Sequence, residues 1–279
     1  MKKNTWLTIA ALACTFGAGA AAQSGDLAEI RQRGSLSVAV YRDFAPFSQD
    51  GKGIDIDIAN ALAGAIGVRA EVRDYDASES MDDDLRLMVW KGGNGAIGPR
   101  PSDVMLHVPV DAAFAARNPQ VSISAPYYRE TLAVARSIEA LPPLTNMLVV
   151  EGQPVGVEVD SITDMALMSH DGGRYRPTVR HYLDIEKAEA DLRGGAIVAF
   201  FGTRSQVEPM VAAAGTGFAM SVTPPMAGLP QAGWSHGIAV KADRAELGEA
   251  LGRAMQTLEA DGTLDRIFRA HGVTRVKPL

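Results

Sequence analysis

The chain of 279 residues has one cysteine, Cys14, inside an amino-terminal apolar stretch, so disulfides and thiolate metal sites are excluded from everything beyond that stretch. It has no excess of positive charge: 27 Lys and Arg stand against 33 Asp and Glu, for a net charge of −6. Phosphate backbones are held by basic faces, so nucleic acid is not the expected partner. After Ala22 no run is long and apolar enough to span a bilayer. There is no repeat and no low-complexity segment, and His170, His181 and His271 lack metal-ligand spacing.

What is present is an ordinary globular composition, 47% hydrophobic and 22% charged, enough for one large domain or two modest lobes. Lys2 and Lys3 precede an apolar run over 6–22 that ends in Ala20-Ala21-Ala22 before the polar Gln23. This is the pattern of an export signal, residues 1–22, cleaved after Ala22. Removing Lys2 and Lys3 would take the charge to −8. Cys14 is followed by more apolar sequence, so a lipid anchor is not expected, and the mature chain is placed in the periplasm.

Beyond a lead-in helix over 26–32, Leu36-Ser-Val-Ala-Val-Tyr41 alternates as a strand. Ile54, Ile58, Ala61, Leu62 and Ala65 fall at helical spacing, with Gly67 as a stop. A strand over 68–75, a helical stripe of Met81, Leu85, Met88 and Val89, and a strand over 103–108 complete an α/β series with a largely parallel sheet. A second series runs through 155–159, 162–168, 185–193, 197–201, 206–214 and 219–222, flanked by strand-like runs at 132–136 and 237–240. Two helices close the chain, one lined by Leu247, Leu251, Ala254 and Leu258, the other by Leu264, Ile267 and Phe268.

Leu36-Ser-Val-Ala-Val, Phe44-Ala-Pro-Phe47 and Gly53-Ile-Asp-Ile-Asp-Ile-Ala-Asn-Ala-Leu-Ala63 resemble the opening of bacterial extracellular solute-binding proteins of family 3, which serve polar amino-acid importers. Gly237-Ile-Ala-Val-Lys241 and Leu258-Glu-Ala-Asp-Gly-Thr-Leu264 are similar to that family's last segment. The resemblance implies the type 2 periplasmic binding fold, two α/β lobes joined by two hinge strands. Lobe 1 is expected over 23–125 and 237–279 and lobe 2 over 131–232, with crossings near 125–130 and 233–237. A monomer is expected, with a small ligand in the cleft, an ABC importer permease as partner and no cofactor or metal.

The chain departs from that family where ligand is held. The usual Thr-x-x-Arg after the third strand is missing its threonine; Arg117 takes the arginine's place on one count, and a solvated helix end is the alternative. Thr203 stands where the family carries the aspartate for a ligand ammonium, so a standard amino acid is not the expected ligand. Tyr41 and Phe44 are expected cleft residues, with Phe47, Tyr127 and Tyr128 as further aromatic candidates. His107 and His236 either reach a ligand or pack against backbone, and Asp111 and Asp160 are the cleft acids. Asp82-Asp83-Asp84 reads as a helix start. Gly93-Asn-Gly-Ala-Ile-Gly98 spells a dinucleotide motif without the strand before it or the helix after it.

A narrower stretch, Asp103-Val-Met-Leu-His-Val-Pro109 with Pro126-Tyr-Tyr-Arg-Glu130, resembles periplasmic binding-like proteins associated with quinoprotein methanol dehydrogenases. It implies an alternative partner, such a dehydrogenase or its cytochrome. An enzyme on the same fold, with a cleft carboxylate as proton acceptor, is a third reading; without a recognisable nucleophile and base pair, binding is expected instead.

Overall fold

The protein is described by a computed structural model covering residues 25–93 and 100–279. The expected export signal and all of the Gly93 to Gly98 stretch except Gly93 lie outside the described residues.

The central strand β1 (Ser35–Tyr41) is buried on both faces through its first six residues, as befits an interior parallel strand covered by helices on each side. It pairs in parallel with β2 (Arg69–Tyr75) and β3 (Val104–Pro109). Two antiparallel partners, β10 (Trp234–Lys241) and β4 (Val121–Glu130), complete a five-stranded sheet of order β2-β1-β3-β10-β4. On one face pack α2 (Ile54–Ala65), α8 (Ala245–Ala260) and α9 (Thr263–Ala270), through Ile54, Ile58, Leu62, Leu247, Leu251 and Phe268. On the other lies α3 (Met81–Leu85), continued by a π turn at Arg86–Trp90, and α4 (Ala112–Arg117). The α2 stripe is rotated from its expected setting. Ala59 and Ala63 are buried with Ile54, Ile58 and Leu62, Ala65 is exposed, and Asp55 is buried as well.

The second sheet has the order β7-β6-β8-β5-β9. Its strands are β5 (Leu132–Ser137), β6 (Val155–Glu158), β7 (Val179–Tyr182), β8 (Ala199–Thr203) and β9 (Phe218–Val222). Its helices are α5 (Ile162–Ser169), α6 (Ile185–Arg193) and α7 (Arg204–Ala214). Two sheets with helices on their faces are the α/β architecture the sequence rhythm implied, but each has two parallel and two antiparallel pairings and is mixed rather than largely parallel.

The registers fix which edge of each sheet meets the crossing. Leaving the first sheet at Glu130, the chain enters the second at Leu132, opposite Thr203 at the carboxyl end of β8. The parallel pairing of β6 with β7 and β8 puts the carboxyl ends of all three on that edge. In the first sheet β4 runs antiparallel to β10 and β10 antiparallel to β3, so the carboxyl ends of β1, β2, β3 and β4 share the edge where the chain departs. Both sheets therefore turn their carboxyl edges toward the crossing, the usual place for a ligand crevice in α/β folds.

Just below that edge three neighbouring strands bend together. His107 in β3 has φ 61° and Ala125 in β4 has φ 50°, and the β10 register slips between His236 and Ile238. A Cβ on Gly237 between them would lie 2.4 Å from the Ser124 carbonyl oxygen. These are β-bulges, which add local twist and re-aim side chains. The bulge keeps β4 in the first sheet through Glu130, and β10 rejoins it at Trp234.

Candidate functional site in the cleft

The lobe 1 edge is an array of rings. Phe44 follows β1 and stacks on Phe47 at 5.3 Å, and Phe44 and Phe47 meet His107 edge-on at 4.8 and 4.2 Å. His107 lies 3.8 Å from the ring of His236, which Trp234 meets edge-on at 6.1 Å. Phe47, His107 and His236 are buried, while Phe44 and Trp234 are half-buried and form the accessible part of the wall.

Behind the wall the bulge at His107 meets the first turn of α2. Tyr127 Oη donates to Asp55 Oδ1 at 2.8 Å and accepts from the His107 amide at 3.0 Å. Asp55 Oδ2 stands 3.2 Å from His107 Nδ1, off the line of a well-aligned hydrogen bond. Burial first, then the Asp55 charge, pushes the Tyr127 hydroxyl well above its ordinary range. His236 Nδ1 faces the His107 carbonyl oxygen at 3.4 Å. Burial, with His107 beside it, pulls its pKa well below that of an ordinary imidazole, so His236 is neutral with its lone pair on Nε2. Among the described residues neither Nε2 has a hydrogen-bond partner.

The array ends at the crossing. Glu130 is buried there and accepts from Tyr128 Oη at 3.1 Å, from the Thr131 amide at 3.0 Å, and from both the hydroxyl and the amide of Ser205 on α7. Its carboxyl pKa is raised, chiefly by burial. On the facing edge Thr203 begins α7 in a capping box with Gln206, its hydroxyl 3.0 Å from Ser205 Oγ. Asp160, with φ 58°, follows β6, and its amide donates to Asp164 Oδ2 at 3.1 Å.

The residues singled out from the sequence thus divide. Phe44 and His107 meet in one wall; Thr203 and Asp160 stand on the opposing carboxyl edge. Tyr41 turns to the other face of its sheet, where its hydroxyl donates to Asp84 at 2.6 Å, and it touches the wall through an edge contact with Phe44 at 5.8 Å. Burial and Asp84 raise its pKa. Arg117 does not join the others. It ends α4, is 58% exposed, lies over Phe114 and pairs with Asp82 at 3.5 Å. Asp111, not an arginine, stands at the start of α4, accepting from the Phe114 amide at 2.7 Å. Trp234, Asp55 and Glu130 were not read as site residues from the sequence.

Cavities of the described residues also open outside the wall of rings. One of about 890 Å³ runs between β4 and α8, lined by Ser122, Ser124, Gly248 and Gly252 among others. Another, about 460 Å³, opens at the ends of β1 and β2 beside Tyr41 and Asp74. No helix of the described residues is long and apolar enough to cross a membrane.

No family model matches the chain, and no curated protein matches it in sequence. Its fold does have solved counterparts. An ancestral cationic amino acid solute binding protein superposes with a TM-score of 0.67, at 19% identity over 88% of this chain and 99% of that one. An amino acid ABC transporter substrate-binding protein from Streptococcus pneumoniae, bound to L-arginine, gives 0.60 at 21% identity, over 90% and 100% of the two chains. The second substrate binding domain of Lactococcus lactis GlnP, in its open conformation, gives 0.57 at 23% identity, over 84% and 93%.

The chain has the two-lobed α/β fold of type 2 solute-binding proteins. In that fold the facing carboxyl edges described above are the two sides of the cleft.

Proposed function

We propose that this is a periplasmic solute-binding protein that closes on a small ligand and hands it to an ABC importer permease. The proposed lobes are 23–125 with 237–279, and 131–232, with β4 and β10 continuing through the crossings to Glu130 and from Trp234. One observation carries the reading: a wall of rings, with Phe44 and Trp234 half-buried, stands on one carboxyl edge and faces the helix starts of the other. A ligand touching both edges favours the closed form by its differential affinity.

The ligand is not a standard amino acid. Recognition of a zwitterion needs a cation for its carboxylate and an acid for its ammonium. Arg117 is committed to Asp82, the start of α4 is occupied by Asp111, and Thr203 offers a hydroxyl in place of an acid. Calorimetry of the mature protein against the twenty amino acids, with X-ray scattering to follow closure, tests this; micromolar binding of any of them defeats the restriction while leaving the binding function standing.

A second reading is an accessory role for a periplasmic quinoprotein dehydrogenase. It is favoured by where the narrower resemblance falls, since Asp103 to Pro109 and Pro126 to Glu130 build the strands that carry His107, Tyr127, Tyr128 and Glu130. Loss of periplasmic alcohol oxidation, with solute uptake intact, in a strain lacking the chain would favour this role over the importer.

A further inference from the structure

We propose that the cleft selects an organic cation without an α-carboxylate, an alkylammonium or guanidinium compound; the inference rests on the solute-binding reading and narrows its ligand. Three independent features of the two carboxyl edges lead to it.

The first is the wall itself. Phe44 and Trp234 are its half-buried members, and their rings are backed by Phe47, His107 and His236. Aromatic faces attract a desolvated cation through the ring quadrupole. The imidazole of His236 adds to this, because it is neutral and its Nδ1 is turned to the His107 carbonyl, leaving Nε2 to accept a hydrogen bond from an N–H donor.

The second is the balance of charge. Of the arginines near these edges, Arg42 pairs with Asp74 and Asp76, Arg117 with Asp82 and Arg204 with Glu208, while Arg129 near the end of β4 has no acid in salt-bridge range among the described residues. Asp111 after β3 and Asp160 after β6 have no salt-bridge partner among the described residues, and Asp43 after β1 shares the charge of Arg42 with Asp74 and Asp76. Carboxylates therefore outnumber cations over the two edges together, a balance that draws in cations and repels anions.

The third is the closure of the anion sites such a cleft would otherwise offer. The helix starts on these edges carry their own caps: Asp111 accepts from the Phe114 amide, Ser161 from the Asp164 amide at 3.1 Å, and Thr203 forms its box with Gln206. An α-carboxylate arriving there finds one amide of each helix start already taken and, at α4, a like charge.

The test compares agmatine with arginine, which carry the same guanidinium and differ by the carboxylate, alongside choline, glutamate and ribose, by calorimetry on the mature protein. Agmatine or choline is expected to bind, arginine at least tenfold more weakly than agmatine, and Phe44→Leu or Trp234→Leu to weaken the amine at least tenfold without unfolding the protein. Arginine binding as tightly as agmatine, or amine binding that neither substitution changes, overturns the proposal. Binding of glutamate or ribose with none of the amines overturns it too, but leaves a solute-binding cleft. Silence from all five probes, with no closure by X-ray scattering, removes both readings.

Discussion

Glu130, the last residue of β4, accepts hydrogen bonds from Ser205, the second residue of α7, so a buried carboxylate of one lobe holds a helix start of the other. Its other partners, Tyr128 Oη and the Thr131 amide, belong to the same crossing. The group sits where the chain crosses from the first sheet to the second.

Removing that carboxylate leaves its donors without a partner in a buried place. Glu130→Ala is expected to cost about 3 kcal/mol in urea unfolding. The pH dependence has a definite sign. Burial raises the folded pKa of Glu130, so above the ordinary carboxylate range the folded state holds a proton the unfolded chain has lost. The Glu130 contribution to stability therefore declines as pH rises from near 4.5 through the raised value. Glu130→Gln, which cannot titrate, should remove that decline, seen by comparing the two unfolding curves across pH 4 to 8; parallel curves would argue against a raised pKa.

Tyr127 satisfies two buried groups at once, Asp55 Oδ1 and the His107 amide. Tyr127→Phe keeps the ring and strands both, so a loss of about 2 kcal/mol is expected. In a double-mutant cycle with Asp55→Ala the two losses should not add, because they break one shared bond. Full additivity in chemical denaturation would mean that the pair is not coupled.

Much of the fold was legible from spacing because each element sits in a regular environment. β1 alternates between two helix-covered faces, and α8 buries the expected Leu247, Leu251, Ala254 and Leu258. The site was less legible because it is built where periodicity fails. His107, Ala125 and Gly237 interrupt three adjacent strands at one level, so neither the length of β4 nor the place of Trp234 follows from alternation. Asp55 lies beside the apolar stripe of α2 and reads as its polar margin. It is buried because Tyr127, 72 residues away, brings it a hydroxyl. Phe44 lies just after β1 and His107 near the carboxyl end of β3, where strand pattern alone points to an edge, whereas Arg117 matched by count alone.

His236 titrates in the opposite sense to Glu130. Its folded pKa lies well below 6.5, by burial first and His107 second, so below pH 6.5 the unfolded chain takes up a proton that the folded protein refuses. Its contribution falls as the medium is acidified from 6.5 toward the lowered value. His236→Asn should flatten this part of the stability profile, at a constant cost from the lost ring contacts with His107 and Trp234. An unchanged acid slope in thermal unfolding would show that the imidazole is not held neutral.

Gly233 lies where the chain returns to lobe 1, with φ 74° and no room for a side chain. A Cβ there would stand 1.9 Å from the Glu130 carbonyl oxygen and 3.0 Å from the Thr131 methyl, so the two crossings touch backbone to backbone. Gly233→Ala must push them apart and also adopt a left-handed backbone that L side chains disfavour by about 1 kcal/mol or more. Each lobe keeps its own core and sheet in this variant. The expected result is a modest loss of stability together with a changed lobe separation, read as a shift in the radius of gyration by X-ray scattering. A stability loss with unaltered scattering would place the strain inside lobe 1 and show that the contact between Gly233 and Glu130 does not set the angle between the lobes.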